Sequence, residues 1–179
     1  MSTREARVRK VEIAMDTSNG FLGIVVGWPP GCLDNLIRRL DRALWERYKT
    51  RVRLHMRELP PEWKGRVVRA FVELVGPRLG QNIRIWCVHV KEENALRRTV
   101  HEFIRWSLHR WAISAIFVDE ELRKSLPPLL PDELIRRRQP MVLADIVAWL
   151  NLAYKRGYPL TRFRTVEDFI RNALVETIR

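Results

Sequence analysis

Three aspartates stand at places in the sequence where apolar residues predominate. Asp16 and Asp119 each come directly after a largely apolar run, and Asp145 is the sole charge between Met141 and Tyr154. Burying an ionised carboxylate is costly, so such positions persist mainly where a cation or hydrogen bonds compensate. Because carboxylate oxygens are the ligands that hard divalent cations prefer, the three aspartates predict a shared Mg²⁺ or Mn²⁺ site. Paired ions of this kind stabilise the attacking and leaving oxygens when a phosphodiester is displaced.

Each aspartate also has a purely structural interpretation. Asp16 suits a turn, Asp119 suits the N-cap of a short helix, and Asp145 suits the surface of a helix. The last interpretation is the weakest, because a helix that is apolar nearly all round is buried and its one carboxylate then needs a partner. The sequence leaves these alternatives open.

Two more residues complete the set of catalytic candidates. Glu120 follows Asp119 and is a candidate fourth carboxylate. His55 alternates with apolar neighbours, and we interpret it as a group that assists a proton transfer or as an exposed strand residue. The catalytic candidates are therefore Asp16, Asp119, Asp145, Glu120 and His55, with the three aspartates as metal ligands.

The chain is strongly basic. Its 179 residues include 33 Lys and Arg against 21 Asp and Glu, a net charge of +12. Arginine grips phosphate with a planar fork, so an anionic polymer, DNA or RNA, is the expected partner. The alternative is the ion-paired surface of a thermophile protein, which explains the 30% charged residues but not the excess of positive charge. The candidate nucleic-acid contacts are Arg38, Arg39, Arg42, Arg136, Arg137 and Arg138.

Other kinds of site find no support in the sequence. It has no P-loop, dinucleotide-binding or α/β-hydrolase motif, and its histidines and cysteines lack the spacing of a zinc site. Cys32 and Cys87 lie far apart in apolar contexts and are expected to be reduced core residues. The default position of a tryptophan here is the core, and Trp28, beside two prolines, is the tryptophan best placed for the alternative of stacking on a base. The tryptophans expected in the core are Trp45, Trp63, Trp106, Trp111 and Trp149.

The elements that position these residues alternate between strand and helix patterns. Strands Val11–Met15 and Phe21–Val26 flank Asn19-Gly20, a strong hairpin-turn signal. Amphipathic spacing predicts helices over Leu33–Tyr48, Pro60–Leu79, Glu92–Trp111, Met141–Lys155 and Thr165–Ile178. Further strands are predicted over Arg51–Met56, Asn82–Val90 and Ser114–Val118. The stretch between residues 127 and 140 is the one long loop.

This order of elements predicts an α/β domain with a mixed sheet flanked by helices. Residues 1–179 are expected to form one domain, with 160–179 as an appended C-terminal helix. No stretch reaches the roughly 18 consecutive apolar residues of a membrane span, and the polar N-terminal residues hold no signal-peptide core. These features predict a cytoplasmic protein with no membrane partner.

Four short stretches occur in an order typical of one family. They are Asp16-Thr17-Ser18-Asn19-Gly20, Leu54-His55-Met56-Arg57-Glu58-Leu59, Val118-Asp119-Glu120-Glu121 and Leu143-Ala144-Asp145. They resemble the D-E-S-G, I-H-x-x-x-L, hydrophobic-D-E and L-A-D motifs of the RNase H-like group known as domain of unknown function 3800. The resemblance covers about residues 8–154 and rests on the order of the motifs and the element that each occupies.

The resemblance implies an RNase H-like fold and a metal-dependent nuclease in which Asp16, Asp119 and Asp145 bind Mg²⁺ or Mn²⁺. Thr17 stands where the family has glutamate, so a carboxylate beside Asp16 is absent and the number of metal ions is open. The rival interpretation is a non-catalytic nucleic-acid-binding or assembly module whose acids are structural. Carboxylates close to a common point favour the nuclease, whereas scattered acids favour the rival.

Overall fold

The computed structural model describes residues 8–18, 20–136 and 139–155, and for the last five of these the backbone only. Its strands and helices, in chain order, are β1 (Lys10–Ser18), β2 (Phe21–Gly27), α1 (Cys32–Tyr48), α2 (Pro61–Val75), β3 (Ile83–His89), α3 (Glu93–Leu108), β4 (Ala112–Phe117), α4 (Glu120–Arg123), β5 (Ile135–Arg136) and α5 (Met141–Lys155). The helix predicted over residues 165–178, within the appended segment 160–179, lies outside the described residues.

Five strands form one mixed sheet in the order β3-β2-β1-β4-β5. β1 and β2 form the antiparallel hairpin that the sequence predicts, and β3 pairs antiparallel with β2. β4 runs parallel to β1, and β5 runs parallel to β4. Parallel neighbours need a crossover connection, and α3 lies in the connection that leads to β4. The predicted α/β class with a mixed sheet flanked by helices is confirmed.

Helices cover both faces of the sheet. One face packs against α1, α2 and α5, and the other packs against α3 and α4. Strands that are buried on both faces have no solvent-exposed side, which explains their nearly continuous apolar sequences. In α5 every residue from Leu143 to Leu150 is buried, as expected for a helix without a polar face.

The segment Arg51–Met56 is not the strand that its alternation predicts. It forms no named strand and leads into a 3₁₀ turn at Met56–Glu58. Its apolar residues Leu54 and Met56 are buried and its polar residues Arg51, Arg53 and His55 are exposed, so the alternation correctly reports a half-buried extended segment. The N–H of Met56 donates to the Asp145 carboxylate instead of to a neighbouring strand.

Other elements also differ from the sequence prediction. α3 ends at Leu108 instead of Trp111, and β4 begins at Ala112 instead of Ser114. α2 ends at Val75 instead of Leu79, because Pro77 has no N–H to continue the helical hydrogen bonds. The stretch between residues 127 and 140, predicted as a loop, contains the two-residue strand β5. A strand this short has no periodicity to detect, and only pairing with β4 defines it.

In the ranges described, no helix is long and apolar enough to cross a bilayer.

The burial of two tryptophans tests the sequence predictions. Trp45, expected in the core, is 46% exposed. The buried stripe of α1 ends at Leu44, and the next residue faces about 100° away around the helix. Trp28, for which the sequence leaves stacking on a base open, is only 9% exposed, and the Arg9 guanidinium lies 4.6 Å from its ring centroid. The core expectation for Trp45 is therefore wrong, whereas Trp28 lies in the core and not in a position to stack on a base.

Candidate active site

The strand register brings Asp16 and Asp119 to one face of the sheet. β1 and β4 are parallel neighbours in which Ala14 pairs with Phe117, and both of these side chains lie in the core that includes α5. Side chains alternate along a strand, so Asp16 and Asp119, two residues further on, point to the same face. Val118 packs in the opposite core, as this alternation requires. The two carboxylates therefore stand at the carboxyl ends of adjacent parallel strands.

A glycine allows α5 to bring Asp145 to the same end of the sheet. Gly23 in β2 pairs with Asp16 across the hairpin. A Cβ atom at Gly23 would lie 2.1 Å from the carbonyl oxygen of Ala144 and 2.6 Å from the backbone nitrogen of Ala148. Only glycine permits this approach, because backbone atoms cannot move aside as the end of a side chain can. Asp145 follows Ala144, so this packing holds it close to the end of β1. We call Asp16, Asp119 and Asp145 the three-carboxylate site.

One oxygen of Asp16 and one of Asp145 are fixed by backbone N–H groups. Thr17 N–H donates to Asp16 Oδ1 at 2.8 Å, and Met56 N–H donates to Asp145 Oδ2 at 2.8 Å. Asp145 is only 6% exposed, so its interpretation as a helix-surface residue is wrong. Asp16 lies within β1 and not in the turn. Among the residues that the structure describes, the second oxygen of each carboxylate has no hydrogen-bond partner.

Asp119 has a structural role of its own. Its Oδ1 accepts a hydrogen bond from the N–H of Leu122 at 2.7 Å and thereby caps α4, which confirms the N-cap interpretation. The cap uses one carboxylate oxygen of Asp119 and leaves the second oxygen available to a ligand. Glu120, the first residue of α4, is exposed, and it makes no hydrogen bond or ion pair within the described parts of the chain. Although Glu120 follows Asp119 in the chain, no hydrogen bond or ion pair joins its side chain to Asp16 or Asp145 among the described residues.

The charges of Asp145 and Asp119 act on Asp16. The pKa of Asp16 is raised to about 7, mainly by burial and next by the charge of Asp145. The N–H of Thr17 acts in the opposite direction, and the charge of Asp119 adds a further rise. Both neighbouring aspartates therefore lie within electrostatic reach of Asp16. A bound cation relieves repulsion of this kind.

Burial acts on Asp145 as well as on Asp16. Burial raises the pKa of Asp145, whereas the N–H of Met56, the charge of His55 and the charge of Lys64 lower it. The charge of Asp145 in turn raises the pKa of Asp16, so the two carboxylates titrate as a coupled pair. These interactions place His55, which is exposed, beside Asp145. His55 is thus the candidate outside the aspartates that the structure brings to the site.

The donor set suits a hard divalent cation, but its side chains do not form a closed ligand cluster. Carboxylate oxygens are the ligands that Mg²⁺ and Mn²⁺ take in proteins. Within residues 8–18, 20–136 and 139–155, no group of three or more His, Cys, Asp or Glu side chains lies close enough together to hold a metal ion. Asp16, Asp119 and Asp145 would hold the ion, each through the oxygen that no backbone N–H occupies, and their side chains would have to move together to do so.

The predicted basic contacts lie in two places. Three of these arginines are exposed on α1, namely Arg38, Arg39 and Arg42. Arg136 is exposed in β5, and its carbonyl accepts from the N–H of Val118 at 3.1 Å, so it stands beside the strand end that leads to Asp119. Two lie outside the described residues, namely Arg137 and Arg138.

Three parts of the site were not identified from the sequence. Gly23 had a usable signal, because an isolated glycine in an apolar strand indicates a close approach of another backbone. The N–H of Met56 had none, since a backbone donor carries no sequence signature. Lys64 also had none, because its effect on Asp145 depends on how α2 packs beside α5.

Comparisons of the chain with protein-family models, with curated proteins and with solved structures gave no significant match. A function has therefore to follow from the geometry and charge of the protein itself.

Proposed function

We propose that the protein is an RNase H-like nuclease that uses Mg²⁺ or Mn²⁺ to hydrolyse the phosphodiester bonds of DNA or RNA. The observation that carries the proposal is the convergence of Asp16, Asp119 and Asp145 on one face at one end of the sheet. Two of these acids stand at carboxyl ends of parallel strands, where open α/β sheets characteristically bind ligands.

The arrangement of the sheet supports the same proposal. The antiparallel pairs β1-β2 and β2-β3, continued by the parallel strands β4 and β5, fit an RNase H-like fold. Asp16 lies near the end of β1, the central strand, and Asp145 lies on the helix that packs against it. These are the element types in which the family resemblance expects the first and last acids.

The metal ion, His55, Lys64 and the overall charge would contribute to the reaction in different ways. The metal ion, held by Asp16, Asp119 and Asp145, would supply the positive charge that stabilises displacement at phosphorus. His55, exposed beside Asp145, is placed to exchange a proton with the reacting groups or with solvent. Lys64 favours the ionised form of Asp145 that a cation requires. The net charge of +12 attracts the phosphate backbone.

A non-catalytic nucleic-acid-binding or assembly module is the second candidate, and two observations favour it. Within the described residues, the three carboxylates do not lie close enough together to hold a metal ion as they stand. Asp119 caps α4 through Leu122, and this role needs no metal ion. In such a module the basic surface binds nucleic acid and the acids serve the fold. The two candidates agree on binding and differ in metal-dependent cleavage.

Cleavage of end-labelled nucleic acid distinguishes the two candidates. Single- and double-stranded DNA and RNA are incubated with the protein and Mg²⁺ or Mn²⁺, with EDTA as the metal-free control. Asp145→Asn is expected to lower cleavage by about 100-fold or more, because it removes charge at the reacting centre. Asp34→Asn is the matched control, since Asp34 lies in the first turn of α1, at the opposite end of β1 from Asp16. A protein that binds these probes and cuts none of them is the binding module instead.

A further inference from the structure

A groove runs along α1 toward the three-carboxylate site. Two cavities of about 390 and 310 Å³ share Asp41 and Val52 in their walls, so they form one continuous depression. Trp45 lines the first cavity, and His55 and Gln139 line the second. We call this depression the α1 groove.

The His55 end of the α1 groove adjoins the three-carboxylate site. His55 immediately precedes Met56, whose N–H donates to Asp145, and the charge of His55 acts on Asp145. Val142, one turn before Asp145 on α5, also lines this end of the groove. The His55 end is therefore the end of the groove that lies nearer to Asp145.

Trp45 gives the other end of the α1 groove an exposed aromatic surface. Among the described residues, the large apolar side chains that are strongly exposed are Val8, Trp45, Leu108 and Leu129, and Trp45 is the aromatic one. The Arg51 guanidinium lies 6.0 Å from the Trp45 ring centroid. Arg51 lies over one face of the indole, so a base would stack on the other face of this exposed ring, beside the positive charge.

The charge of the α1 groove complements a phosphate backbone. Arg42, Arg51 and Arg53 line it and are exposed. None of the three forms an ion pair within the described part of the chain. Asp41 is the single acid in the lining, so the groove carries net positive charge.

We propose that the α1 groove binds single-stranded nucleic acid, with a base stacked on Trp45 and the phosphates held by Arg42, Arg51 and Arg53. A single strand is favoured over a duplex, because duplex bases are stacked on one another and cannot offer a face to the indole. The inference names the substrate class of the three-carboxylate site, and it rests on the proposed nuclease function for the fate of the bound strand.

Fluorescence anisotropy tests the inference without any cleavage. Fluorescein-labelled single strands of about 12 nucleotides, and the matching duplexes, are titrated with protein in EDTA. Trp45→Leu is expected to weaken single-strand binding by about 5- to 100-fold, the loss associated with one stacked base, and to change duplex binding little. Trp45→Phe, which keeps an aromatic face, is expected to retain most of the affinity and to melt as the wild type does.

A matched pair of double variants tests the phosphate contacts. Arg51→Gln with Arg53→Gln is expected to weaken single-strand binding clearly more than Arg98→Gln with Arg105→Gln. The second pair removes the same charge from exposed positions on α3, which packs on the opposite face of the sheet. Equal losses in both pairs would mean that general charge, and not the groove, holds the strand.

Two outcomes separate this inference from the proposed nuclease function. Trp45-dependent binding of single strands by a protein that cuts none of them supports the groove and contradicts the nuclease. Metal-dependent cleavage with single-strand binding unchanged in Trp45→Leu supports the nuclease and overturns the groove. A wild type that prefers the duplex also overturns the groove.

Discussion

Asp145 combines a buried charge with a hydrogen bond, and two substitutions separate these properties. Asp145→Asn removes the charge but keeps an oxygen that accepts from Met56 N–H. Asp145→Leu removes the acceptor and leaves that N–H without a partner. In metal-free protein at neutral pH we expect Asp145→Asn to be at least as stable as the wild type, because burial disfavours the carboxylate. Asp145→Leu should be less stable than Asp145→Asn by about 1–3 kcal/mol, measured by chemical denaturation. An Asn variant as unstable as the Leu variant would show that the charge itself stabilises the fold.

The raised pKa of Asp16 makes the stability of the metal-free protein depend on pH. In the unfolded chain Asp16 ionises near 3.8, whereas in the folded protein it ionises near 7, so the folded state binds more protons between these values. The contribution of Asp16 to stability is therefore fully present below about pH 4 and is lost as the pH rises to about 7. We expect Asp16→Asn, relative to the wild type, to gain stability over this window.

Denaturant unfolding from about pH 4 to about pH 8 measures this difference. Asp34→Asn again serves as the control. The difference in unfolding free energy between Asp34→Asn and the wild type should not change with pH in the way expected for Asp16→Asn. A difference between the wild type and Asp16→Asn that stays constant with pH would contradict the raised pKa.

At the level of single residues, the sequence indicated the type of site better than its details. Burial cost alone singled out Asp16, Asp119 and Asp145, because few physical reasons keep a carboxylate in an apolar run. The hydrogen-bond donors that orient these carboxylates include backbone N–H groups far away in the sequence, such as that of Met56, which donates to Asp145. Their positions are products of folding and have no local signal.

Gly23 is the point at which one element positions another. Alanine there would place Cβ 2.1 Å from the Ala144 carbonyl oxygen, so α5 would have to move away from β2. We expect Gly23→Ala to cost about 3 kcal/mol or more, by overpacking, and to weaken the metal response by displacing Asp145.

Gly27→Ala in the same strand is the matched control for Gly23→Ala. Its Cβ would meet the side chains of Leu33 and Ile83, which can adjust, so we expect a smaller cost of about 1 kcal/mol. Thermal and denaturant unfolding of both variants measure the difference. Equal costs would indicate that α5 can yield at Gly23 without strain.

At the level of elements, the sequence predicted those whose patterns are long and regular. The hairpin and the helices α1, α3 and α5 are visible as periodic runs bounded by turn or breaker residues. The segment Arg51–Met56 has the periodicity of a strand but pairs with none of the strands in the described parts of the chain, and the N–H of Met56 donates to Asp145 on α5 instead. β5 has a partner but no periodicity. Pairing is a tertiary property, and a single sequence does not report it.

At the scale of the whole molecule, the net charge of +12 predicts strongly salt-dependent binding of nucleic acid. Each neutralised phosphate releases condensed counterions, so affinity should fall steeply between low and physiological salt. The triple change of Arg136, Arg137 and Arg138 to Ala is expected to make the log–log salt slope less steep by about 2–3 units. Its melting temperature should match that of the wild type. Salt-independent binding would contradict an electrostatic interface, and loss of folding would contradict an exposed one.

Direct titration of Mn²⁺ into the protein by calorimetry tests most directly whether Asp16, Asp119 and Asp145 act as one metal site. The convergence of the three carboxylates requires saturable binding by the wild type and by Asp34→Asn, and its loss in both Asp16→Asn and Asp145→Asn. Both Asn variants keep an acceptor for the backbone N–H that orients the side chain, so they should remain folded. Absence of saturable binding by the wild type, or binding that survives unchanged in Asp145→Asn, would contradict a shared metal site.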